Sequence, residues 1–170
     1  MASRVRELVR DVPDFPKKGI LFKDITPVLA DAQAFAELTE GLAKLVPEGT
    51  TKLAAVESRG FLLASSMALK LGLGVVLIRK PGKLPSTVIS HSYALEYGTD
   101  TLQIHVDALN KQDRVCIIDD VLATGGTASA SETLCIEAGA SVSGFVFMME
   151  LALLNGRARV KAPTYSLISY

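Results

Sequence analysis

Residues 115–127 read Val-Cys-Ile-Ile-Asp-Asp-Val-Leu-Ala-Thr-Gly-Gly-Thr, an apolar run that gives way to two carboxylates and then to a glycine pair between threonines. The unbroken apolar stretch Val115 to Ile118 predicts a strand buried on both faces, as in parallel sheets, and Ala128 to Ala138 predicts a helix. The turn between them then sits at the carboxyl end of a strand. There Gly125 and Gly126 let backbone amides come close to a ligand, the helix N-terminus adds unpaired N–H groups, and Thr124 and Thr127 add hydroxyls. That set suits phosphate oxygens. Asp119 and Asp120 would repel such an anion; their natural partners are sugar hydroxyls, which donate to a carboxylate, or a divalent cation.

The commoner phosphate motifs do not fit this turn. A Walker A loop needs Lys after its last glycine, where Thr127 follows Gly126, and the turn is not G-x-G-x-x-G either. The rest of the chain alternates strand and helix from Lys52 onward. Strands are predicted at Leu53 to Val56, Val75 to Ile78, Arg114 to Ile118 and Val142 to Met149, helices at Phe61 to Leu71 and Ala128 to Ala138, and a short last strand at Tyr165 to Ser169. Such alternation implies an α/β fold, a doubly wound and mainly parallel sheet with helices on both faces.

Ahead of that core, Ser3 to Arg10 carries Val5, Leu8 and Val9 at helical spacing, and Pro13, Pro16, Gly19 and Pro27 punctuate an irregular stretch. Residues 1–30 therefore read as a small appendage and residues 31–170 as the core. Asp31 is placed to N-cap a helix running to about Val46, closed by Pro47 and Gly49. Lys80 to Asp100 is polar and holds Pro, Gly and Ser, which predicts a long loop with a hairpin, followed by apolar Leu102 and Ile104. Long loops in compact domains are usually functional.

Composition limits the partners. Lys plus Arg equal Asp plus Glu at 18 each, so no global positive field supports nucleic acid or an anionic membrane, and basic function must be local. Cys116 in the buried strand and Cys135 in the next helix lack metal-ligand spacing and read as reduced core residues, which points to the cytoplasm. Met1 to Val12 lacks the apolar segment of a signal peptide, and the greasiest stretch, Gly144 to Met149, stops at Glu150, so no segment is expected to enter a membrane.

In open parallel sheets ligands bind outside the carboxyl ends of the strands. After the first core strand stands Glu57-Ser58-Arg59-Gly60, and after the second Arg79-Lys80-Pro81-Gly82-Lys83. Two cationic loops thus face one phosphate cradle. A substrate with a monophosphate at one end and a pyrophosphate at the other fits that spread, with Ala123 to Thr127 for the first group and Arg59, Arg79, Lys80 and Lys83 for the second.

The Asp119 to Thr127 segment resembles the signature of the type I phosphoribosyltransferases, in which a strand ending in two acidic residues leads into a loop that holds the 5-phosphate of phosphoribosyl pyrophosphate. Three more segments narrow the resemblance to the adenine phosphoribosyltransferases. Pro13 to Pro16 with Gly19-Ile20-Leu21-Phe22-Lys23-Asp24-Ile25-Thr26-Pro27 is similar to that family's N-terminal hood. Arg79 to Pro85 with Tyr93-Ala94-Leu95-Glu96-Tyr97-Gly98 is similar to its flexible catalytic loop, and Glu57 to Phe61 completes four motifs in the family's order.

The resemblance implies transfer of the 5-phosphoribosyl group from phosphoribosyl pyrophosphate to adenine, giving AMP and pyrophosphate in purine salvage. It implies that the Phe22 ring stacks on the purine while main-chain groups of Leu21 and Lys23 bond the adenine edge; the family often has Arg at Lys23, a change that a main-chain contact tolerates. Asp119 and Asp120 are implied to hold the ribose. Glu96 is implied to meet the developing charge or the purine proton at N7, so that Glu96, Asp119 and Asp120 form the catalytic set. Mg²⁺ is the expected cofactor, bound through substrate and water rather than directly by the chain, and relatives are homodimers. Two other readings share the cradle: a phosphoribosyltransferase for another base, which would lack the hood, and a phosphoribosyl-pyrophosphate-sensing regulator, which would want a basic nucleic-acid face.

Overall fold

A computed structural model of the chain describes residues 2–94 and 98–170. The first of two compact units runs from the N-terminus to Gly41. It holds α1 (Ala2–Leu8), the antiparallel pair β1 (Arg10–Pro13) and β2 (Leu21–Asp24), the short α2 (Thr26–Ala30), and most of α3 (Ala32–Ala43). The expected appendage stopped near residue 30, where this unit takes in eleven residues more. Asp31 does cap α3, its Oδ1 accepting the Ala34 amide at 2.8 Å, while Oδ2 receives Arg4 at 2.8 Å. The α-helix ends at Ala43 rather than Val46, and the chain then tightens into turns in which the Leu45 and Val46 amides donate to the Leu42 and Ala43 carbonyls, before Pro47.

The second unit, Leu42–Tyr170, is built on a five-stranded, wholly parallel sheet ordered β4-β3-β7-β8-β9. Its strands are β3 (Lys52–Val56), β4 (Gly74–Ile78), β7 (Arg114–Leu122), β8 (Ser141–Glu150) and β9 (Thr164–Ser169), with β5 (Val88–Ala94) and β6 (Thr99–His105) forming a separate hairpin. From β3 the chain crosses through α4 (Arg59–Leu71) to one side, and from β7 it crosses through α5 (Gly126–Glu137) to the other. Right-handed crossovers in opposite directions put the two helices on opposite faces. The side chains agree: Ala130, Leu134 and Cys135 of α5 pack with Ala54, Ile117, Phe145 and Phe147 and with Leu102 and Ile104 of the hairpin, a cluster to which α4 contributes nothing. Leu63, Ala64 and Met67 bury the inner side of α4 instead.

The sheet therefore reverses its winding between β3 and β7, which is where a doubly wound fold opens a crevice. One difference from the sequence expectation bears on that crevice. β7 does not stop at Ile118 but continues through Asp119 and Asp120 to Leu122, pairing Asp119 with Phe147 and Leu122 with Glu150 of β8. An apolar-run criterion ends a strand at its first carboxylate, whereas here the neighbouring Asp120 amide partners Asp119 and the sequence-distant Arg59 partners Asp120. The polar stretch after Lys80 contains the expected hairpin, whose strands β5 and β6 pair from Val88↔His105 to Ala94↔Thr99 and so reach beyond Asp100.

Candidate active site

A cleft of about 420 Å³ opens at the carboxyl ends of β3 and β7. Val56, Leu102, Leu122 and Phe147 give it apolar surface, and Glu57, Ser58, Arg59, Lys80 and the run from Asp119 to Ala128 supply its polar groups. The peptide joining Glu57 to Ser58 is cis. Gly60 sits where α4 meets the end of β7 so tightly that a Cβ there would lie 2.8 Å from the Ile118 carbonyl oxygen. This approach carries Arg59 to the acidic pair.

Asp120 is buried and accepts a charged hydrogen bond from Arg59 Nε. The arginine side chain itself is 40% exposed, so a buried carboxylate anchors a cation that stands in the cleft wall. Asp119 is the preceding residue of the same extended strand, so its side chain leaves on the other face. Its Oδ1 curls back to accept the Asp120 amide at 2.9 Å. Burial pushes the Asp119 carboxyl well above the usual carboxylate range, and the adjacent Asp120 charge pushes it further.

The turn after β7 is shaped as a cradle. Gly125 adopts φ +81° and opens α5, a helix with no side-chain N-cap and no acidic residue in its first turn. Its leading amides therefore have no side-chain acceptor at the cap, an arrangement that can donate to an anion. Gly125 is also forced by packing, because a Cβ on it would fall 2.4 Å from the Gly156 carbonyl oxygen. Thr124 is exposed, Ala123 and Thr127 are half-buried, and all line the cleft.

Of the expected cationic residues, Arg59 and Lys80 line the cleft and Arg79 and Lys83 do not. Arg79 Nε donates to Glu57 Oε2 at 3.0 Å and Nη1 to the Lys83 carbonyl at 3.1 Å, and its guanidinium lies 5.6 Å from the Phe61 ring centre. It braces the loop. Lys80 Nζ is paired with Asp100 of β6, whose Oδ2 also accepts the Tyr93 hydroxyl at 3.2 Å. Burial draws the Asp100 carboxyl upward, but Lys80 and the Thr101 amide together hold it below its ordinary value. Tyr93 reaches Thr127 Oγ1 at 3.1 Å, so the hairpin touches the cradle directly. Glu96, expected on the flexible catalytic loop, lies outside the described residues.

The residues expected to meet a base, Leu21, Phe22 and Lys23, are consecutive on β2, which pairs with β1 among the described residues. In a strand the main-chain groups of residues two apart point to one edge, so Leu21 and Lys23 act together there while the Phe22 side chain projects from a face. Phe22 packs edge-on to Phe15, ring centres 5.1 Å apart, and Lys23 Nζ donates to Asp11 Oδ1 at 2.6 Å.

Sequence reasoning missed a second support of the cradle. The short helical turns Ala152–Leu154 and Gly156–Arg159 follow β8 and bring Gly156 against the loop. Arg157 grips buried Glu150 through three hydrogen bonds of 2.6–2.9 Å, and buried Glu132 of α5 accepts the Lys161 and Ala162 amides at 3.1 and 2.8 Å. The Asn155-Gly156 turn signal after a strand was the sequence cue to this device.

Comparison with known proteins places this geometry. Residues 23–164 match the family model described as phosphoribosyl transferase domain. The chain is 53% identical to an adenine phosphoribosyltransferase of Streptomyces clavuligerus, over 90% of this chain and 86% of the relative. It superposes on the crystal structure of the Thermoanaerobacter pseudethanolicus adenine phosphoribosyltransferase with a TM-score of 0.97 at 48% identity, covering 100% of both chains. The Saccharomyces cerevisiae adenine phosphoribosyltransferase, solved with an imino-altritol bisphosphate and adenine, gives a TM-score of 0.92 at 36% identity over 98% of this chain and 97% of that one.

Proposed function

The chain belongs to the phosphoribosyl transferase family, and from that premise we propose how its residues carry the activity for which its relatives are named. That activity is transfer of the 5-phosphoribosyl group from phosphoribosyl pyrophosphate to adenine, giving AMP and pyrophosphate in purine salvage. One observation carries the site assignment: an uncapped helix N-terminus behind a glycine turn, an acidic pair and an anchored arginine converge on one cleft at the sheet's reversal point.

Loss of pyrophosphate from the anomeric carbon leaves positive charge on the ribose while a purine nitrogen attacks. The site must stabilise separated charge. Ala123 to Thr127 hold the 5-phosphate through amides and hydroxyls. Asp119 and Asp120 accept from the ribose hydroxyls and face the cationic sugar in the transition state. Arg59 and Lys80 take the pyrophosphate, helped by Arg79 and Lys83 on the adjoining loop, and Lys80 exchanges Asp100 for that anion. Leu21 and Lys23 bond the adenine edge through the main chain, Phe22 stacks on the ring, and Glu96 meets the developing charge or the N7 proton.

Among the described residues no group of three carboxylates, histidines or cysteines is gathered for a metal. Two adjacent carboxylates, one of them engaged by arginine, suit a Mg²⁺ held mainly by substrate oxygens and water, with Asp119 and Asp120 steadying those waters. Bound in that way Mg²⁺ supplies Lewis-acid assistance to the departing pyrophosphate. The same reading makes the protein a cytoplasmic homodimer. No helix among the described residues is long and apolar enough to cross a membrane, and Cys116 and Cys135 are buried free thiols whose pKa burial pushes up to about 12. Leu62 and Leu69, exposed on one side of α4, are apolar surface that a second copy would cover.

The test is to incubate the purified protein with Mg²⁺, phosphoribosyl pyrophosphate and, separately, adenine, hypoxanthine, guanine or orotate, and to quantify nucleotide and pyrophosphate. AMP from adenine alone is the expected result. Turnover of another base in its place would overturn the base assignment, and binding without turnover would favour the regulator.

A further inference from the structure

The segment after β8 is held more firmly than a connecting loop needs to be. Arg157 locks it to Glu150, Gly156 is pressed between the Ala123 carbonyl and the Gly125 amide, and Glu132 ties down the Lys161 and Ala162 amides. Arg159 lies between these anchors. Its Cβ is 3.1 Å from the point where a Cβ on Gly125 would stand, and its Nη1 is 3.9 Å from the corresponding point on Gly126. Cβ positions on a helix tilt toward its N-terminus, so this guanidinium stands beside the uncapped first turn of α5.

The basic residues around it are already engaged. Arg59 pairs with Asp120, Arg79 with Glu57, Lys80 with Asp100 and Arg157 with Glu150. Arg159 is exposed and has no hydrogen-bond or ion-pair partner among the described residues. A fixed backbone presenting an uncompensated guanidinium beside a loop of free amides is the arrangement that recognises a phosphate dianion, because the fork adds charge-assisted donors that amides and hydroxyls lack.

We propose that Arg159 is a ligand of the 5-phosphate of phosphoribosyl substrates, adding a cation to a cradle otherwise made of amides and hydroxyls. The proposal rests on the reading of Ala123 to Thr127 as the phosphate site. Arg159 approaches the monophosphate end, so it contributes to binding of ribose 5-phosphate, AMP and phosphoribosyl pyrophosphate and contributes little to binding of free pyrophosphate.

The experiment compares wild type with Arg159→Met, which keeps the stem, and Arg159→Lys, which keeps the charge; the position is exposed, so both fold. Dissociation constants for ribose 5-phosphate, AMP and Mg²⁺-pyrophosphate are measured by calorimetry, with KM for phosphoribosyl pyrophosphate alongside kcat. Arg159→Met is expected to weaken ribose 5-phosphate and AMP about tenfold, the loss of one charge-assisted contact, and to raise KM more than it lowers kcat. Pyrophosphate affinity stays at the wild-type value, and Arg159→Lys recovers part of the loss. Unchanged ribose 5-phosphate and AMP affinity in Arg159→Met would overturn the proposal, as would an equal loss for pyrophosphate. Failure of the wild-type protein itself to bind ribose 5-phosphate would instead overturn the assignment of the loop, and this proposal with it.

Discussion

Gly125 and Gly156 exclude side chains from each other: a Cβ on the first would stand 2.4 Å from the carbonyl oxygen of the second, and a Cβ on the second 3.1 Å from the amide nitrogen of the first. Main chain thus meets main chain behind the phosphate cradle. Gly156→Ala would place its methyl 2.3 Å from the Ala123 carbonyl oxygen, so the loop must move. Overpacking of this kind costs about 1–3 kcal/mol of stability. A displacement near 1 Å at a binding group costs on the order of 100-fold in rate, so kcat/KM for phosphoribosyl pyrophosphate is expected to fall by about that factor. Steady-state kinetics on the folded variant decide the matter, and a wild-type value would show that the contact does not position the loop.

Asp120→Asn keeps the shape of the side chain and removes the charge that holds Arg59. The arginine is 40% exposed and can be hydrated, so the stability change is expected to stay near 1 kcal/mol. Turnover is expected to drop by about 10²–10³, since both the anchor of Arg59 and a carboxylate facing the cationic ribose are lost. Circular dichroism and thermal unfolding would show a native fold with activity nearly gone; retained activity would remove Asp120 from the site.

What could be read in the sequence was what local chemistry determines. Val115 to Ile118 announced a buried parallel strand, the Gly125-Gly126 pair announced a turn into a helix, and Asp31 announced a helix cap, all of which the structure contains. The continuation of β7 through Asp119 and Asp120 was not legible, because the partner that makes Asp120 tolerable inside a strand is Arg59, far back in the chain. The same holds for Tyr93 and Asp100. Their meaning comes from a hairpin register and from contacts with Thr127 and Lys80, neither of which a periodicity contains. Nothing local marks Glu132 or Glu150, because their partners come from the segment after β8.

Asp119 makes a prediction about protons. Burial and the neighbouring Asp120 charge raise its pKa, so the unliganded site favours the protonated carboxyl over a range in which an exposed aspartate is ionised. Substrate with Mg²⁺ brings hydroxyl donors and positive charge, which favour the carboxylate. Binding of Mg²⁺-phosphoribosyl pyrophosphate should therefore release a proton, and affinity should rise with pH through the interval between the ordinary aspartate value and the raised one. Calorimetry in buffers of different ionisation enthalpy measures that release directly. Asp119→Asn should abolish it, and a wild-type complex that takes up protons would reverse the argument.

Glu150 and Arg157 make the corresponding prediction for stability, from a pKa shift in the opposite direction. The Arg157 hydrogen bonds hold the buried Glu150 carboxyl below its ordinary value of 4.5. A depressed folded-state pKa contributes stability that is present above the unfolded value and is lost as pH falls through the folded one. Arg157→Met leaves the Glu150 carboxylate buried without its cation, which is expected to cost about 2–3 kcal/mol at neutral pH. In that variant the carboxyl is instead desolvated and its pKa rises, so acidification protonates it and relieves the penalty. The gap between wild type and variant should narrow steadily from pH 7 to about pH 4, and the double variant Glu150→Gln/Arg157→Met should recover part of the neutral-pH loss because no buried charge remains. Urea unfolding of the three proteins at both pH values tests this. A gap independent of pH would mean that Arg157 acts by packing alone, and the cradle's second support would then rest on Gly156 and Glu132.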